Sequence, residues 1–418
     1  MIELERADMV KYKTLDDFNV KNKVVLVRVD FNSEIDPNSK KVTSDVRIKA
    51  HAETTLKELA EKGARTVVLA HQGRKGDPDY TPLKQHAEIL GKILKCPVKY
   101  VDVIFGDKAR KAISALQDGE ILVLENVRGS DGETKNGTPE QHAKSELVQA
   151  LAPLADLFVN DAFAAAHRGH VSMVGFTAVL PSAAGRIMER ELKSLAKALE
   201  KPEKPCVYVM GGAKADDSLE ISKYVLANGI ADYVLVGGVT SQLFLAAKGV
   251  DLGKGNMAFL EKKELTGLLP GIRQLMAQYP DKVMVPVDVA LDVGGKRKEI
   301  PVNKLPTENS IFDIGAKTVE NYAKVISKAK SIVVSGPMGV YENKEFNYGT
   351  KKVLEAIANS KGFSLAGGGN TIAAIEEYDL AKKIGYISTA GGALIEFLMG
   401  KKLPGVVALE NAVKTKQI

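Results

Sequence analysis

The feature that most constrains this chain is the alternation of short apolar runs with amphipathic stretches along almost its whole length. Runs such as "KVVLVRVDF" and "CVYVMGG" have the length and the valine content of buried strands. Between them, stretches such as "SDVRIKAHAETTLKELAEKG" repeat their apolar residues at helical spacing. Near-continuous apolar strands separated by helices are typical of parallel sheets that are covered on both faces. The sequence therefore predicts an α/β fold.

The alternation occurs twice, once in each half of the 418 residues. The first-half strand candidates are "KVVLVRVDF", "RTVVLAHQG", "PVKYVDV", "ILVLEN" and "DLFVND". The second-half candidates are "CVYVMGG", "DYVLVGG", "KVMVPVDVAL", "SIVVSGP", "FSLAGGG" and "KIGYISTAGG". A chain of this length exceeds one usual core, so we expect two doubly wound parallel-sheet domains. We place the N-terminal domain at residues 1–184 and the C-terminal domain at residues 185–402.

A long helix is expected to join the two domains. The stretch "SAAGRIMERELKSLAKALEKPEKP", residues 182–205, keeps helical apolar spacing from Ile187 to Leu199, and Pro202 and Pro205 then stop it. We count this connecting helix with the C-terminal domain. The tail, residues 403–418, follows Pro404 and Gly405 and is expected to leave that domain and pack elsewhere.

Composition argues against several classes of partner. The formal charge is +6, and lysine and glutamate interleave along most predicted helices, which favours a solvated surface over a nucleic-acid stripe. No apolar run approaches the roughly 20 residues that a membrane span requires. The N-terminus "MIELERADMV" has acidic residues too early for a signal or transit peptide. We predict a cytoplasmic protein without nucleic-acid or membrane partners.

The residues at the predicted strand ends differ sharply between the halves. Ligands of open parallel sheets lie beyond the carboxyl ends of the strands. First-half strands end in charged and polar residues: Arg28, Asp30, Asn32, His71, Arg74, Arg128, His167, Arg168 and His170. Second-half strands end in the glycine-rich loops "MGGAK", "VGG", "SGPMG", "AGGGNT" and "TAGG".

This segregation indicates two binding chemistries. Arginine's planar fork suits carboxylate and phosphate oxygens, so several arginines at one edge favour a small, multiply anionic substrate. Bare glycine backbone before a helix presents free N–H groups and a positive dipole end, and this combination binds phosphates. The chain contains no Walker sequence and no protein-kinase motif set. No G-x-G-x-x-G follows the first strand, which disfavours a dinucleotide-binding dehydrogenase.

Taken singly, each of these residues has a simpler interpretation. A strand-end arginine can form a surface ion pair, and a lone glycine pair can be a turn. His71 could be a structural histidine, and Glu125 or Asp161 could cap a helix. The functional interpretation depends on the whole set and its division between the halves.

Eight motifs together resemble one family. In chain order they are "RVDFN", "AHQGR", "LENVR", "NDAFAAAHR", "GGAK", "SGPMGVYE", "AGGGNT" and "STAGGA". They occur in the order found in phosphoglycerate kinases, and "NDAFAAAHR" looks like the archaeal branch. The resemblance covers essentially the whole chain, including the linking helix and the tail, which in the family returns to the N-terminal domain. It implies reversible phosphoryl transfer between 1,3-bisphosphoglycerate with ADP and 3-phosphoglycerate with ATP, in glycolysis and gluconeogenesis, with magnesium.

The resemblance also implies roles for individual residues. The phosphoglycerate would bind to Asp30, Asn32, Arg47, His71, Arg74, Arg128 and Arg168. The nucleotide would bind to Gly212, Lys214, Gly237, Gly238, Gly336, Pro337, Glu342, Gly367, Gly368, Gly369, Asn370 and Thr371, with Gly391 and Gly392 at the phosphates. Arg47, Lys214, Gly368 and Gly391 form the implied catalytic set. Glu342 would reach the ribose hydroxyls.

The sequence departs from the family pattern at three positions. The family commonly has lysine where Ser218 stands, asparagine where Ser335 stands, and a metal-binding aspartate where Asn370 stands. A neutral amide oxygen is a poorer magnesium ligand than a carboxylate. Asn370 therefore has two interpretations, an N-cap of the helix that follows or a contact to the magnesium–nucleotide.

The mechanism implied by the family needs no general base, because the acceptor carboxylate is already a nucleophile. It needs alignment of donor and acceptor and stabilisation of the charge on the transferring group. We expect a monomer whose two domains close about the 182–205 connector. The competing class is a non-catalytic two-domain sensor of phosphorylated metabolites, which would show the same segregation of arginine and glycine.

Overall fold

A computed structural model of the chain describes residues 12–414. Contacts within it divide these residues into two units, residues 12–192 with 402–414, and residues 193–401. The division falls inside the helix Arg186–Leu199, which begins in the first unit and ends in the second. The domain boundaries drawn from the sequence at 184, 402 and 403 stay a prediction.

The described residues form fifteen strands. They are β1 (Val24–Arg28), β2 (Arg65–Leu69), β3 (Val98–Tyr100), β4 (Ile121–Val123), β5 (Leu157–Asn160), β6 (Ser182–Ala184), β7 (Cys206–Met210), β8 (Tyr233–Val236), β9 (Val283–Met284), β10 (Asp288–Val293), β11 (Lys296–Pro301), β12 (Ser310–Ile314), β13 (Ser331–Ser335), β14 (Phe363–Gly367) and β15 (Tyr386–Ser388).

The α-helices of the described residues follow the strands in alternation. They are α1 (Val46–His51), α2 (Lys57–Glu61), α3 (Lys84–Leu94), α4 (Asp107–Ser114), α5 (Pro139–His142), α6 (Glu146–Leu151), α7 (Val171–Val174), α8 (Arg186–Leu199), α9 (Ala215–Ala227), α10 (Gly238–Ala247), α11 (Lys254–Lys262), α12 (Leu269–Gln278), α13 (Ala316–Ile326), α14 (Tyr348–Ala358), α15 (Gly369–Glu377), α16 (Gly392–Leu398) and α17 (Pro404–Lys414). No helix among these is both long enough and apolar enough to span a bilayer.

The first unit is built on a parallel sheet in the order β3-β4-β2-β1-β5-β6. Successive residues of β1 enter different apolar clusters, Val25 and Val27 on one face and Leu26 on the other. Side chains alternate across a strand, so both faces of the sheet are buried. This burial is why the strand reads as a continuous apolar run, and the predicted α/β class is confirmed.

The second unit contains another six-stranded parallel sheet, ordered β15-β14-β13-β7-β8-β9. In each sheet the earlier strands lie on one side of the first strand, β1 or β7, and the later strands lie on its other side. The order reverses between β1 and β5 in the first sheet and between β13 and β7 in the second. Such reversal points open a crevice at the carboxyl ends of the strands, where ligands of doubly wound sheets bind.

One predicted strand is divided between two sheets. The segment "KVMVPVDVAL" gives β9, which pairs with β8, and β10, which lies in an antiparallel sheet with β11 and β12. Pro286 separates the two strands, and proline cannot donate to a ladder. Gly294 and Gly295, both with positive φ, form the turn between β10 and β11. This three-stranded sheet was not predicted, although a glycine pair between strand-like runs is a hairpin signal.

The predicted connector begins as a strand. Ser182–Ala184 forms β6, which pairs with β5, and α8 starts only at Arg186. The helical spacing from Ile187 to Leu199 is confirmed. The last helix, α17, lies against α7 and β6 in the first unit, and the Gly405 amide donates to the Ala166 carbonyl at 2.9 Å.

Candidate functional site

The carboxyl ends of the first sheet gather a buried network around Arg28. Its side chain is 1% exposed, although a guanidinium rarely lies in a core without partners. Nε donates to Ser172 Oγ at 2.9 Å, and NH2 donates to His71 Nδ1 at 3.0 Å. A guanidinium can only donate, so His71 Nδ1 is the acceptor and its hydrogen sits on Nε2. Burial and the neighbouring Arg28 hold the pKa of His71 well below its usual value. His71 is thereby a neutral donor.

Asp30 and Arg47 form an ion pair beside this network. Asp30 is buried, whereas the Arg47 side chain is 38% exposed. Burial alone would raise the pKa of Asp30, but Arg47, His71 and the Asn32 amide hold it at about 2. Asn32 also accepts from the Gly73 amide at 2.8 Å, which joins the loops after β1 and β2. Arg47 is therefore held at the strand ends with part of its guanidinium open to a ligand.

The remaining predicted arginines crowd the same edge. Arg128 is buried and donates to the Gly73 carbonyl, Arg168 is half-buried, and Arg74 is exposed. Burial lowers the pKa of Arg128 to about 10, and repulsion from Arg168, Arg28 and Arg74 acts in the same direction. Burial lowers the pKa of His170 to about 3, and repulsion from Arg168, Arg28 and Arg128 acts in the same direction. Mutual repulsion of this kind is relieved by an anion, which makes this edge suited to a multiply charged ligand.

Two residues that the sequence analysis did not single out complete this network. Glu133 is 1% exposed and accepts from the Ser172 amide at 2.9 Å and from its hydroxyl at 2.6 Å. Burial raises the pKa of Glu133 to about 7, against the opposing influence of Arg28 and Arg128. Neither Glu133, in "GSDGETKNG", nor Ser172, in "HVSMVG", carries a motif, so no sequence signal identifies them. Arg28 was recognised only as a strand-end residue.

The second unit contains a cavity of about 560 Å³ at the carboxyl ends of β7, β13 and β14. Most of the predicted nucleotide-side residues line it: Gly212, Lys214, Gly336, Pro337, Gly368, Gly369, Asn370, Thr371, Gly391 and Gly392. Ser218 and Ser335, two of the departures from the family pattern, also line it. Four strand-end glycine loops thus converge on one cavity, at the point where the strand order reverses.

Close backbone packing explains the glycines after β7 and β13. The Gly212 amide donates to the Pro337 carbonyl at 2.7 Å, and the Gly211 amide donates to the Ser335 carbonyl at 2.8 Å. Gly336 has φ +87°, and a Cβ there would overlap the Gly211 carbonyl. Only glycine combines this conformation with this approach. The opening of the cavity is therefore set by two loops that cannot carry side chains at these points.

Of the two interpretations of Asn370, the N-cap is wrong. Helix α15 begins at Gly369, its N-cap is Gly368, and no side chain caps it. Asn370 is exposed in the first turn and lines the cavity. The hydroxyl of the next residue, Thr371, is used for the fold, because it accepts from the Gly336 amide at 2.7 Å. Asn370 is free of a capping role and available to a ligand.

Lys214 lies at the N-terminus of α9, exposed and beside the cavity. Ser218, one turn later, is buried and donates its hydroxyl to the Lys214 carbonyl at 3.2 Å. Ser218 stands where the family commonly has a lysine, and its hydroxyl is used in this hydrogen bond within the helix. Asp217, Glu396 and Lys401 are the other charged residues of the lining. Burial and the adjacent Asp216 raise the pKa of Asp217.

Four predicted nucleotide residues lie outside this cavity lining: Gly237, Gly238, Gly367 and Glu342. Gly238 donates to the Met338 carbonyl at 2.7 Å, and a Cβ on Gly237 would overlap Met338. Both glycines therefore permit close packing of the loop after β8 against the 336–338 turn. Glu342 is exposed. Its contact to a ribose stays a prediction.

Two doubly wound units, one with an arginine-lined strand edge and the other with a glycine-lined cavity, define an α/β protein suited to a small anion and a phosphorylated ligand. The sequence model of the phosphoglycerate kinase family matches residues 15–401. The chain is 50% identical to the phosphoglycerate kinase of Methanothermobacter thermautotrophicus over 96% of its length and 97% of that protein. It is 45% identical to that of Pyrococcus furiosus, over 95% and 97%.

Solved structures agree. The phosphoglycerate kinase of Pyrococcus horikoshii OT3 superimposes with a TM-score of 0.86 at 41% identity, covering 96% of this chain and 99% of that one. That of Coxiella burnetii gives 0.84 at 33% identity, covering 96% and 99%. The chain belongs to the phosphoglycerate kinase family. The predicted family and its archaeal resemblance are confirmed, and nothing among the relatives supports a non-catalytic sensor.

Proposed function

We propose that this chain catalyses reversible phosphoryl transfer between 1,3-bisphosphoglycerate with ADP and 3-phosphoglycerate with ATP. The observation that carries the proposal is the division of binding chemistry between the units. Arg47, Arg128 and Arg168 lie at one strand edge with His71, whereas the second unit offers glycine backbone and Lys214 at the start of a helix. A small acid with a phosphate suits the first site, and a nucleotide polyphosphate suits the second.

The first unit would bind phosphoglycerate. Arg74, Arg128 and Arg168 would pair with its phosphate and carboxylate oxygens, and His71, whose hydrogen is on Nε2, would donate to one of them. Arg47 is held by Asp30 and half-exposed, so it can lie against the group in transfer. The acceptor carboxylate attacks without a base, and the protein's task is to align it and to stabilise spread negative charge.

The second unit would bind the nucleotide. The 368–370 and 391–392 loops line the cavity at the N-termini of α15 and α16, where free backbone amides would favour a phosphate. Lys214 would add its charge on the same side. Transfer requires the two bound substrates to meet with water excluded, and we assign that movement to the connector 182–205.

Magnesium would arrive with the nucleotide. No group of three or more potential ligands from His, Cys, Asp and Glu gathers within residues 12–414. Magnesium generally keeps phosphate oxygens and waters as its main ligands, with one or two from the protein. Asn370 would hold it through the amide oxygen, and the ion would neutralise phosphate charge. Because the reaction belongs to glycolysis, we place it in the cytoplasm. We expect the chain to act as a monomer.

A coupled assay tests the proposal. Purified protein, ADP and 1,3-bisphosphoglycerate should yield ATP, detected through a hexokinase-linked reaction, and the reverse direction should consume ATP only when 3-phosphoglycerate is present. Calorimetry with each substrate alone runs beside it. Binding of both ligands without turnover would overturn the proposal and favour the sensor.

A further inference from the structure

Arg47 and His51 lie one turn apart on a single continuous helical segment. It consists of α1, a π-helical stretch at Ala52–Leu56 and α2. Residues four apart share a helix face, so both side chains approach the strand ends from the same side. Single π turns inside α-helices occur often at functional sites. Arg47 is partly open, whereas His51 is 3% exposed.

Both ring nitrogens of His51 are used. The Asp30 amide donates to Nε2 at 3.1 Å, and Nδ1 lies 2.6 Å from Asp161 Oδ2. A backbone amide can only donate, so Nε2 must present its lone pair. The ring hydrogen is therefore on Nδ1 and is donated to Asp161. The arrangement specifies one tautomer and one ring orientation.

Asp161 continues the chain of bonds to helix α8. It is fully buried, and its second oxygen, Oδ1, accepts from the Ile187 amide at 2.8 Å and the Met188 amide at 3.3 Å. Asp161 is thus not the N-cap residue of a neighbouring helix but binds two amides at the start of the sequence-distant α8. A Cβ on Gly185 would overlap Asp161, so glycine is needed for this approach. One carboxylate thereby holds His51 on one side and the start of α8 on the other.

A second set of bonds holds the same two elements together. The Arg186 amide donates to Thr55 Oγ1 at 2.8 Å, in the π-helical stretch. The Arg186 guanidinium donates to both oxygens of Glu58, at 2.6 and 2.7 Å. The segment that carries Arg47 is therefore fixed to the first turn of α8 through His51 and through Arg186.

We propose that His51 is a positioning residue for phosphoryl transfer. It links the Asp30 backbone, through Asp161, to the first turn of α8, and it thereby fixes the position of the Asp30–Arg47 pair. The proposal rests on the function proposed above, in which Arg47 contacts the transferring group. A purely structural buried histidine would also have its nitrogens bonded, so the distinguishing feature of His51 is the identity of its partners. Here each nitrogen has one partner, and the partners lead to a substrate-side residue and to the helix that passes into the second unit.

Two substitutions separate the two bonds. In His51→Gln, the side-chain oxygen can reach the place of Nε2 and still accept from the Asp30 amide, but the bond to Asp161 is lost. In His51→Asn, the side-chain NH₂ can take the place of Nδ1–H and still donate to Asp161, but Asp30 loses its acceptor. Each variant loses one hydrogen bond: glutamine leaves a buried carboxylate oxygen without its partner, and asparagine leaves a backbone amide without its acceptor. The melting temperature of each variant is therefore measured beside its rate, at a temperature where both are folded.

The rates should differ. His51→Asn should lower kcat by about tenfold or more, because a displacement of about 1 Å at a catalytic group can cost a factor of 100. His51→Gln should keep kcat within about threefold of the parent, and the KM for ATP should stay unchanged in both. Equal kcat values for the two folded variants would refute the positioning role and leave His51 as a structural residue.

A third variant and a spectrum keep the test decisive if the histidine variants do not fold. In Asp161→Asn, the amide oxygen can still cap α8, but the NH₂ then faces His51 Nδ1 and favours hydrogen on Nε2, which removes the acceptor for Asp30. The expected kcat loss matches that of His51→Asn. Nitrogen-15 NMR of the parent should show His51 with hydrogen on Nδ1, and the hydrogen should move in Asp161→Asn. A parent with hydrogen on Nε2 would overturn the inference whether or not the chain transfers phosphate.

Discussion

Replacing Glu133 by glutamine should change how the stability of the first unit depends on pH. The carboxylate is 1% exposed and accepts two bonds from Ser172, and burial raises its pKa to about 7. In the unfolded chain the same group titrates near 4.5. As the pH rises from 4.5 to 7, the unfolded state releases the proton while the folded state keeps it. The folded state therefore loses stability over this window and not below it.

The size of the loss follows from the separation of the two pKa values. At 1.36 kcal/mol for each pH unit between them, the parent should lose about 3 kcal/mol between pH 4.5 and 7. Glutamine resembles the protonated acid in shape and charge, and its oxygen can still accept from Ser172. Glu133→Gln should thus match the parent near pH 5 and exceed its stability by up to about 3 kcal/mol at pH 8.

Urea unfolding of both proteins at intervals from pH 5 to 9 measures this difference. Glu88→Gln, which removes the same charge from the exposed face of α3, is the matched control and should give a constant small difference. The KM for 3-phosphoglycerate offers a second readout, because ionisation of Glu133 beside Arg28 and Arg128 weakens an anion site as the pH rises. A stability difference between Glu133→Gln and the parent that did not vary with pH would refute the reasoning.

Three further outcomes are expected. Arg168→Ala should raise the KM for 3-phosphoglycerate strongly and leave the KM for ATP nearly unchanged, as measured by initial rates with each substrate varied. Equal changes in the two KM values would contradict the division of binding between the units. Arg47→Ala and Lys214→Ala should each lower kcat with little change in KM. The loss in kcat should correspond to about 2.7–4 kcal/mol of activation free energy. A kcat within a few-fold of the parent would mean that another cation stabilises the transferring group. Asn370→Asp should lower the free magnesium needed for half-maximal rate, because Asn370 lines the cavity and caps no helix; superimposable magnesium titrations would remove it from the metal site.

The sequence by itself determined the class of fold and the division of chemistry. In a strand buried on both faces, such as β1, consecutive residues from Val25 to Val27 enter apolar clusters, and this run is visible without a structure. A loop such as Gly336-Pro337, which approaches other backbone, must lack a side chain, so its glycine is visible too. These constraints act on residue types within a few positions of one another, which is why local patterns predicted them.

Only the tertiary structure decided which residues complete the sites. Ser172 meets Glu133 and Arg28 across 39 and 144 positions of sequence, and His51 meets Asp161 across 110. Likewise, one apolar run is divided at Pro286 between two sheets, as the pairing of β9 and β10 shows. Asn370 lies in the first turn of a helix and not at its N-cap. Partners of this kind are chosen by packing between distant segments, and the energy of a buried charge or hydrogen bond depends on those partners. No periodicity or motif records them, because each side chain alone is compatible with many environments.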